Sequence, residues 1–212
     1  MTSETRHAPL DAAGFAELVP VSRETLAKFE AYLGLLTAWQ KAINLVGQST
    51  LADPWRRHVL DCAQLARHLP DGPLRLADLG SGAGLPGLVL AVLGVAEVHL
   101  VEADKRKAQF LREAARRLAL DNVRVHAERI ETLTLEVDVV TARALAPLVD
   151  LLPLATPLLA GAGRLLLLKG RSAEAELAVA AEAWTMRVAA EPSVADPLGR
   201  VLVLDEVRAR GH

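Results

Sequence analysis

A glycine-rich loop between a short apolar run and a helical pattern constrains this chain more than any other feature. The apolar run ends at Leu79, and Gly80, Gly82, Gly84 and Gly87 follow within eight residues. Glycines at such a place allow a sharp turn and let a ligand lie against bare main chain. The pattern is typical of the first strand, loop and helix of a Rossmann-like α/β fold that binds a ligand. A tight turn without a ligand is the alternative.

Strand-length apolar runs alternate with helical patterns from residue 73 onward. In chain order, these runs and helical patterns together are Leu74–Leu79, Gly87–Leu93, Val98–Glu102, Arg106–Leu118, Val123–Ala127, Val137–Thr141, Leu148–Leu159, Leu165–Lys169, Ala173–Trp184, Met186–Ala190 and Val201–Val207. Short runs without polar alternation indicate strands buried on both faces, as in a parallel sheet covered by helices. The last two runs are separated by turn residues and indicate an antiparallel pair at one sheet edge. The sequence therefore predicts a mainly parallel sheet with a C-terminal antiparallel strand.

The first 72 residues differ from the rest in pattern. Residues 1–21 contain two prolines and a glycine and are expected to form a flexible leader. Residues 22–72 carry two helical patterns, one of about 20 residues that begins at Ser22 and one from Asp53-Pro54 to about Leu69. The expected division is a leader, an N-terminal helical segment and one ligand-binding domain over residues 73–212.

Composition excludes several classes of protein. Apolar residues make up 51% of the 212 residues, which is typical of a folded globular chain. The single cysteine, Cys62, excludes a disulfide framework and a cysteine-based zinc cluster. The N-terminus lacks the pattern of a signal peptide, and the apolar runs are far shorter than a membrane span. We therefore expect a cytoplasmic protein.

The glycine loop by itself fits two kinds of cofactor. Gly82, Gly84 and Gly87 satisfy G-x-G-x-x-G, and Glu102 lies 20 residues after Gly82 at the end of the next apolar run. A carboxylate there is suited to a ribose diol, so a dinucleotide such as NAD fits the spacing. An NAD-binding oxidoreductase would also need a proton relay. No Tyr-x-x-x-Lys is present, and the one tyrosine, Tyr32, belongs to an N-terminal helical pattern.

Asp78 favours S-adenosylmethionine over a dinucleotide. It stands two residues before the first glycine, where a pyrophosphate would meet a like charge. S-adenosylmethionine carries a sulfonium and an ammonium group. At an effective dielectric of about 20 and about 4 Å, a carboxylate attracts such a cation by roughly 4 kcal/mol before desolvation. The sequence thus predicts a methyltransferase. A non-catalytic nucleotide-binding or RNA-binding module is a third alternative, but it would be expected to lose Asp78 or Glu102.

Several blocks of sequence, taken together, resemble one known family. They are Asn44-Leu45, Arg57–Asp61, Asp78–Gly87, Val101–Lys107 with Phe110-Leu111, Arg129–Glu131, Thr141–Ala144 and Leu168–Gly170. In this order they resemble the bacterial 16S rRNA (guanine-N7) methyltransferases (RsmG), formerly called glucose-inhibited division protein B (GidB). The resemblance covers roughly residues 25–172.

The resemblance implies a function and a set of cofactor contacts. The product would be 7-methylguanosine in 16S rRNA near the decoding region, whether the substrate is naked RNA or the 30S subunit. The implied cofactor contacts are Gly80, Leu85, Glu102, Ala103, Ile130, Glu131 and Arg143. Guanine N7 has a free lone pair, so we expect no catalytic base and assign Arg143 to positioning. A methyltransferase with another acceptor is the nearest alternative.

RNA binding requires a basic surface, although the net charge of the chain is −2. Residues 105–129 contain eight lysines and arginines, which form either an RNA surface or an ordinary solvated helix face. Arg57, Lys169 and Arg171 are predicted RNA contacts. His58 and Asp61 are predicted to form a structural hydrogen bond between helix and domain, and no metal site is expected. We expect a monomer.

Overall fold

The computed structural model describes residues 8–211 and places a seven-stranded sheet at its centre. The strands are β1 Arg75–Leu79, β2 Glu97–Val101, β3 Val123–His126, β4 Val137–Arg143, β5 Leu159–Lys169, β6 Trp184–Pro192 and β7 Arg200–Ala209. Their order across the sheet is β3-β2-β1-β4-β5-β7-β6. Strands β1 to β5 are parallel, and β7 pairs antiparallel with both β5 and β6. The predicted mainly parallel sheet with an antiparallel C-terminal edge is confirmed.

Helices cover both faces of the sheet. They are α1 Ala12–Leu18, α2 Arg23–Gln40, α3 Asp61–Ala63, α4 Gly87–Val92, α5 Lys105–Arg117, α6 Leu148–Ala155 and α7 Ala173–Ala183. The N-terminal helices, α4 and α5 share one apolar core with one face of the sheet, and α6 and α7 pack on the other. This two-sided burial explains why the central strands read as unbroken apolar runs.

The predicted flexible leader is wrong for the part of it that the structure describes. Helix α1 starts after Asp11, whose side chain accepts a hydrogen bond from the main-chain N–H of Gly14. Its Phe15 is fully buried, with ring centroids 5.5 Å from both Phe29 and Trp55. One aromatic residue therefore fixes a segment that has little other sequence pattern. Residues 1–7 of the predicted leader lie outside the described residues.

Two further elements differ from the sequence pattern in detail. The second N-terminal helix is irregular: a π-helix, Trp55–Leu60, continues into α3 and then a 3-10 helix, Gln64–His68. Strand β5 begins six residues earlier than its apolar run, because residues 159–164 are mostly alanine and glycine, and Leu159 and Arg164 still pair with β4 across a register shift. The first N-terminal helix agrees with its prediction, and Ser22 caps it by accepting from Thr25 N–H at 3.1 Å.

Strand order places a crevice beside β1. Strands β2 and β4 flank β1, so the chain leaves the carboxyl ends of β1 and β4 in opposite directions across the sheet. Doubly wound sheets bind their ligands at such a switch point.

Candidate active site

A cavity of about 680 Å³ opens at the carboxyl ends of β1, β4 and β5. Six of the residues that sequence analysis selected line it, namely Arg57, Gly80, Gly82, Leu85, Arg143 and Lys169. The other seven described candidates are not on its wall, namely Asp78, Gly84, Glu102, Ala103, Ile130, Glu131 and Arg171. Its volume is in the range of small-molecule and cofactor sites.

The glycine loop forms one wall of this cavity. Gly80 and Gly82 adopt φ of +63° and +54°, a region that side chains disfavour. A Cβ on Gly80 would also lie 2.5 Å from the Leu145 side chain, so any other residue there would have to displace the end of that leucine. Ser81 N–H donates to Val101 O at 3.0 Å and ties the loop to the end of β2.

Asp78 lies behind the loop and has no exposed surface. Its carboxylate accepts hydrogen bonds from Gly87 N–H and from the Thr141 hydroxyl, both at 3.1 Å. Burial raises the pKa of Asp78 to about 7, against the lowering effect of those hydrogen bonds. Asp78 thereby joins the start of α4 to β4, and its contact with a cationic ligand stays a prediction.

Glu102 stands at the end of β2, beside the loop. One carboxylate oxygen accepts from Gly82 N–H at 2.9 Å and the other from Asp104 N–H at 2.8 Å. Glu102 thus holds the glycine loop against the start of α5, and its oxygens retain lone pairs for further donors. Ala103 follows it and is exposed.

Ile130 and Glu131 lie on a 3-10 helix, Ile130–Thr132, after β3. Ile130 is half-buried against the core beneath α6 and α7. Glu131 is exposed and forms a 2.7 Å ion pair with Arg129. Arg129, a cation of the basic window of residues 105–129, is therefore paired with a neighbouring acid.

Arg143 is held by the N-terminal segment rather than left free in the cavity. Its guanidinium donates to Arg57 O at 3.0 Å and lies 3.3 Å from His58 Nδ1 and 3.4 Å from Asp61 Oδ2. Burial and the charge of Arg143 lower the pKa of His58 to about 4, so this imidazole is neutral. Nδ1 then accepts from Arg143, and Nε2–H donates to the Thr50 hydroxyl at 3.0 Å. The predicted hydrogen bonding of His58 and Asp61 between helix and domain is confirmed.

Lys169 braces a loop instead of presenting a free charge. Its ammonium donates to Ala146 O at 2.6 Å and to Glu176 at 2.7 Å, and its side chain is 10% exposed. The loop so held contains Ala144, which has a φ of +52° although it is not glycine. The predicted contact between Lys169 and RNA is thus not supported, because the side chain bends back toward α7. Arg171, two residues on, is exposed.

Sequence reasoning missed the contribution of the connection between β6 and β7. Ser193, Asp196 and Gly199 of this connection line the cavity. Asp196 forms a 2.7 Å ion pair with Arg57, and Ser193 donates to Asp61 at 3.1 Å. The turn residues between the two predicted C-terminal strands were the one weak signal for this connection in the sequence.

Four of the eight lysines and arginines in the basic window of residues 105–129 are paired with acids. Glu113 binds Arg116 and Arg117, and Arg124 binds Glu97 at 2.9 Å. Lys107 reaches the cavity wall. Within residues 8–211, no group of three or more histidine, cysteine, aspartate or glutamate side chains is placed to hold a metal. Among the described helices, none is long and apolar enough to cross a membrane.

Solved structures share this fold. The SAM-dependent O-methyltransferase TM0748 from Thermotoga maritima matches with a TM-score of 0.57 at 16% identity, over 85% of this chain and 73% of that one. TYW2 from M. jannaschii, solved in complex with AdoMet, matches with a TM-score of 0.58 at 14% identity and covers 80% of each chain. TrmN from Thermus thermophilus matches with a TM-score of 0.56 at 26% identity, over 68% of this chain and 47% of that one. The fold is that of the class I S-adenosylmethionine-dependent methyltransferases.

Sequence comparison then gives the family. The model for rRNA small subunit methyltransferase G (GidB) matches residues 25–198. Ribosomal RNA small subunit methyltransferase G of Rhodospirillum rubrum is 55% identical over 196 residues, which is 91% of this chain and 96% of that protein. The protein of the same name from Rhodospirillum centenum is 53% identical, over 94% of this chain and 93% of its own length. The chain belongs to the rRNA small subunit methyltransferase G family.

Proposed function

We propose that this protein transfers a methyl group from S-adenosylmethionine to N7 of a guanine in 16S rRNA near the decoding region. The observation that carries the proposal is that the family match over residues 25–198 includes both walls of the cavity. One wall is the glycine loop, and the other contains Arg57 and Asp196. The match therefore extends beyond the cofactor wall, which many acceptor classes share, to the wall that faces an acceptor.

The residues present fit the cofactor. The positive φ values of Gly80 and Gly82 turn main chain rather than side chains toward the cavity, and Leu85 adds an apolar surface. Glu102 stands beside the loop, oriented by Gly82 N–H, and would accept from ribose hydroxyls of a cofactor that extends from the cavity toward the end of β2. When bound, S-adenosylmethionine supplies an electrophilic methyl group on a sulfonium sulfur. These residues hold and orient it.

The remaining cavity residues suit a purine acceptor that gains positive charge. Guanine N7 attacks with an existing lone pair, so the protein has no proton to remove at that atom. The charge of Arg143 is compensated by Asp61, and His58 is neutral. The wall near β4 thus places no uncompensated cation against the ring. The work of the chain is to align the base and to exclude water.

We assign RNA backbone contacts to the exposed Arg171, to the half-buried Lys107 on the cavity wall, and to Arg57 when it leaves Asp196. Backbone phosphates supply most of the affinity of such contacts and make it dependent on salt. We infer that the protein acts as a monomer in the cytoplasm, on naked 16S rRNA or on the 30S subunit.

The test is transfer of radiolabelled methyl from S-adenosylmethionine to 16S rRNA and to 30S subunits from cells that lack this gene. We expect label in 7-methylguanosine at one position after nuclease digestion. A Glu102→Ala variant is the matched control and should lose label at limiting cofactor. Absence of label on both forms of RNA, with calorimetric binding of S-adenosylmethionine intact, would overturn the rRNA substrate and leave the methyltransferase class.

A further inference from the structure

Three carboxylates line the cavity, and two of them are fully engaged by the protein. Asp61 accepts from Ser193, Gln64 and Arg143 and is 17% exposed. Glu176 accepts from Lys169, Ser172 and the main chain of Leu148 and is 18% exposed. Neither carboxylate has its oxygens free to accept two further hydrogen bonds from the edge of a base. These two acids build the walls.

Asp196 differs from both in exposure and in remaining capacity. It is 30% exposed, and each of its oxygens has one protein partner. Oδ1 accepts from Leu198 N–H at 3.0 Å, and Oδ2 pairs with Arg57 at 2.7 Å. A carboxylate has about four acceptor positions, so about two remain. Burial opposes ionisation, but these hydrogen bonds outweigh it and lower the pKa of Asp196, which is therefore an anion at neutral pH.

The connection that carries Asp196 is rigidly held. Ser193 Oγ accepts from the N–H groups of Ala195 and Asp196, and Gly199 N–H donates to Asp196 O at 2.8 Å. The side chain of Gln64 bonds both Ser193 and Val194 and ties the connection to the N-terminal segment. Asp196 is thus presented to the cavity from a fixed support, as recognition of a base requires.

We propose that Asp196 selects guanine by accepting hydrogen bonds from N1–H and the 2-amino group of the base whose N7 is methylated. This inference rests on the proposed function. N1 and the 2-amino group lie on the edge of the purine away from N7, so the base would span the cavity from Asp196 toward the glycine loop. Adenine has an acceptor at N1 and no 2-amino group, so the carboxylate would repel it. Enzymes that act on extruded bases read the same edge.

The charge of Asp196 also favours the transfer step. As N7 gains a methyl group, the ring becomes cationic and N1–H becomes more acidic. A hydrogen bond from N1–H to a carboxylate therefore strengthens on the way to the transition state, and such an interaction raises kcat. Arg57, which balances Asp196 in the free protein, is released to bind a phosphate when the base arrives.

The test uses RNA with guanosine or inosine at the position that the wild-type protein methylates. Inosine keeps N1–H and N7 but lacks the 2-amino group. We expect wild type to lose about tenfold in kcat/KM on inosine, and Asp196→Ala to lose about tenfold to a hundredfold on guanosine. The guanosine-to-inosine ratio should fall to near one in Asp196→Ala. Glu182→Ala, which removes an exposed acid at the end of α7, should keep the wild-type ratio.

Two further measurements separate recognition from folding. S-adenosylmethionine affinity should stay within about twofold in both Asp196→Ala and Asp196→Asn. Asn keeps the shape and one acceptor, and its kcat should fall more than its KM rises. A wild-type guanosine-to-inosine ratio in folded Asp196→Ala would overturn the inference and leave the proposed function in place. Absence of methylation of guanosine by the wild-type protein would overturn both.

Discussion

The Asp78 carboxylate accepts a 3.1 Å hydrogen bond from the main-chain N–H of Gly87, nine residues away across the glycine loop. A side chain on Gly87 would collide with that carboxylate, since a Cβ there would lie 2.8 Å from both Asp78 Cβ and Asp78 Oδ2. The two residues therefore require each other. The acid is the penultimate residue of β1 and the glycine is the first residue of α4, so their contact spans the loop between these two elements.

Replacement of Asp78 by asparagine is predicted to change how stability depends on pH. The pKa of Asp78 is raised from 3.8 in the unfolded chain to about 7 in the fold. The stability contributed by its protonated form is thus complete below pH 4 and is lost as pH rises through 7. Asparagine does not titrate. Relative to wild type, the free energy of unfolding of Asp78→Asn should therefore increase with pH between those limits, by at most about 1.4 kcal/mol per pH unit. Urea denaturation at pH 5 and pH 8 measures this, and parallel curves for the two proteins would contradict it.

Glu102→Ala is predicted to weaken S-adenosylmethionine binding by about tenfold to a hundredfold. The variant loses the charged acceptor for a ribose and also the restraint on Gly82 N–H. Glu102→Gln keeps one acceptor, so its affinity for S-adenosylmethionine should lie between those of wild type and Glu102→Ala. Isothermal calorimetry gives the affinities, and circular dichroism checks the fold. Wild-type affinity in the alanine variant would remove Glu102 from the cofactor site.

Arg143→Met is predicted to destabilise the fold by about 3 kcal/mol. Removal of one partner leaves Asp61 largely buried without its compensating charge. The double variant Arg143→Met with Asp61→Asn should be less destabilised than the sum of the single changes, because the orphaned carboxylate is gone. Chemical denaturation of the four proteins completes the cycle. Additive changes would show that the two side chains do not interact.

Two neighbouring cations are predicted to behave differently. Lys169→Gln should lower the free energy of unfolding by about 1–3 kcal/mol, because it leaves Glu176 and Ala146 O without their donor. Arg171→Gln should leave stability unchanged and reduce RNA affinity with a shallower salt dependence, by about one unit in slope. Thermal denaturation and RNA titration at several salt concentrations distinguish them. The reverse pattern would restore Lys169 as the RNA contact.

Phe15→Ala is predicted to destabilise the protein by about 3–5 kcal/mol and to release α1. The ring is fully buried against Phe29 and Trp55, and its removal leaves a cavity among them. Leu18→Ala, on the same helix and 59% exposed, is the matched control and should change stability little. Hydrogen exchange of the α1 amides reports release of the helix directly. Slow exchange in Phe15→Ala would show that other contacts hold it.

The local pattern of the chain determined the order of the elements and the nature of the cofactor loop. Runs such as Leu165–Lys169 and the glycines after Leu79 have one physical solution each: a strand buried on both faces, and a turn that leaves main chain bare. These properties depend on neighbours in sequence, so they were predictable. Helix α1 and the first half of β5 lacked such a pattern, because a single buried ring and a run of alanine and glycine carry little local signal.

Tertiary structure alone decided which way the charged side chains point. Asp78 and Lys169 were predicted to face ligands, and both turn into the protein because partners more distant in sequence, Thr141 and the carbonyl of Ala146 among them, form hydrogen bonds with them there. Asp196 shows the converse, since the β6–β7 connection brings it to the cavity opposite Arg57. A buried charge needs a partner close by in space. The distance between the two groups is set by tertiary packing and not by their separation along the chain.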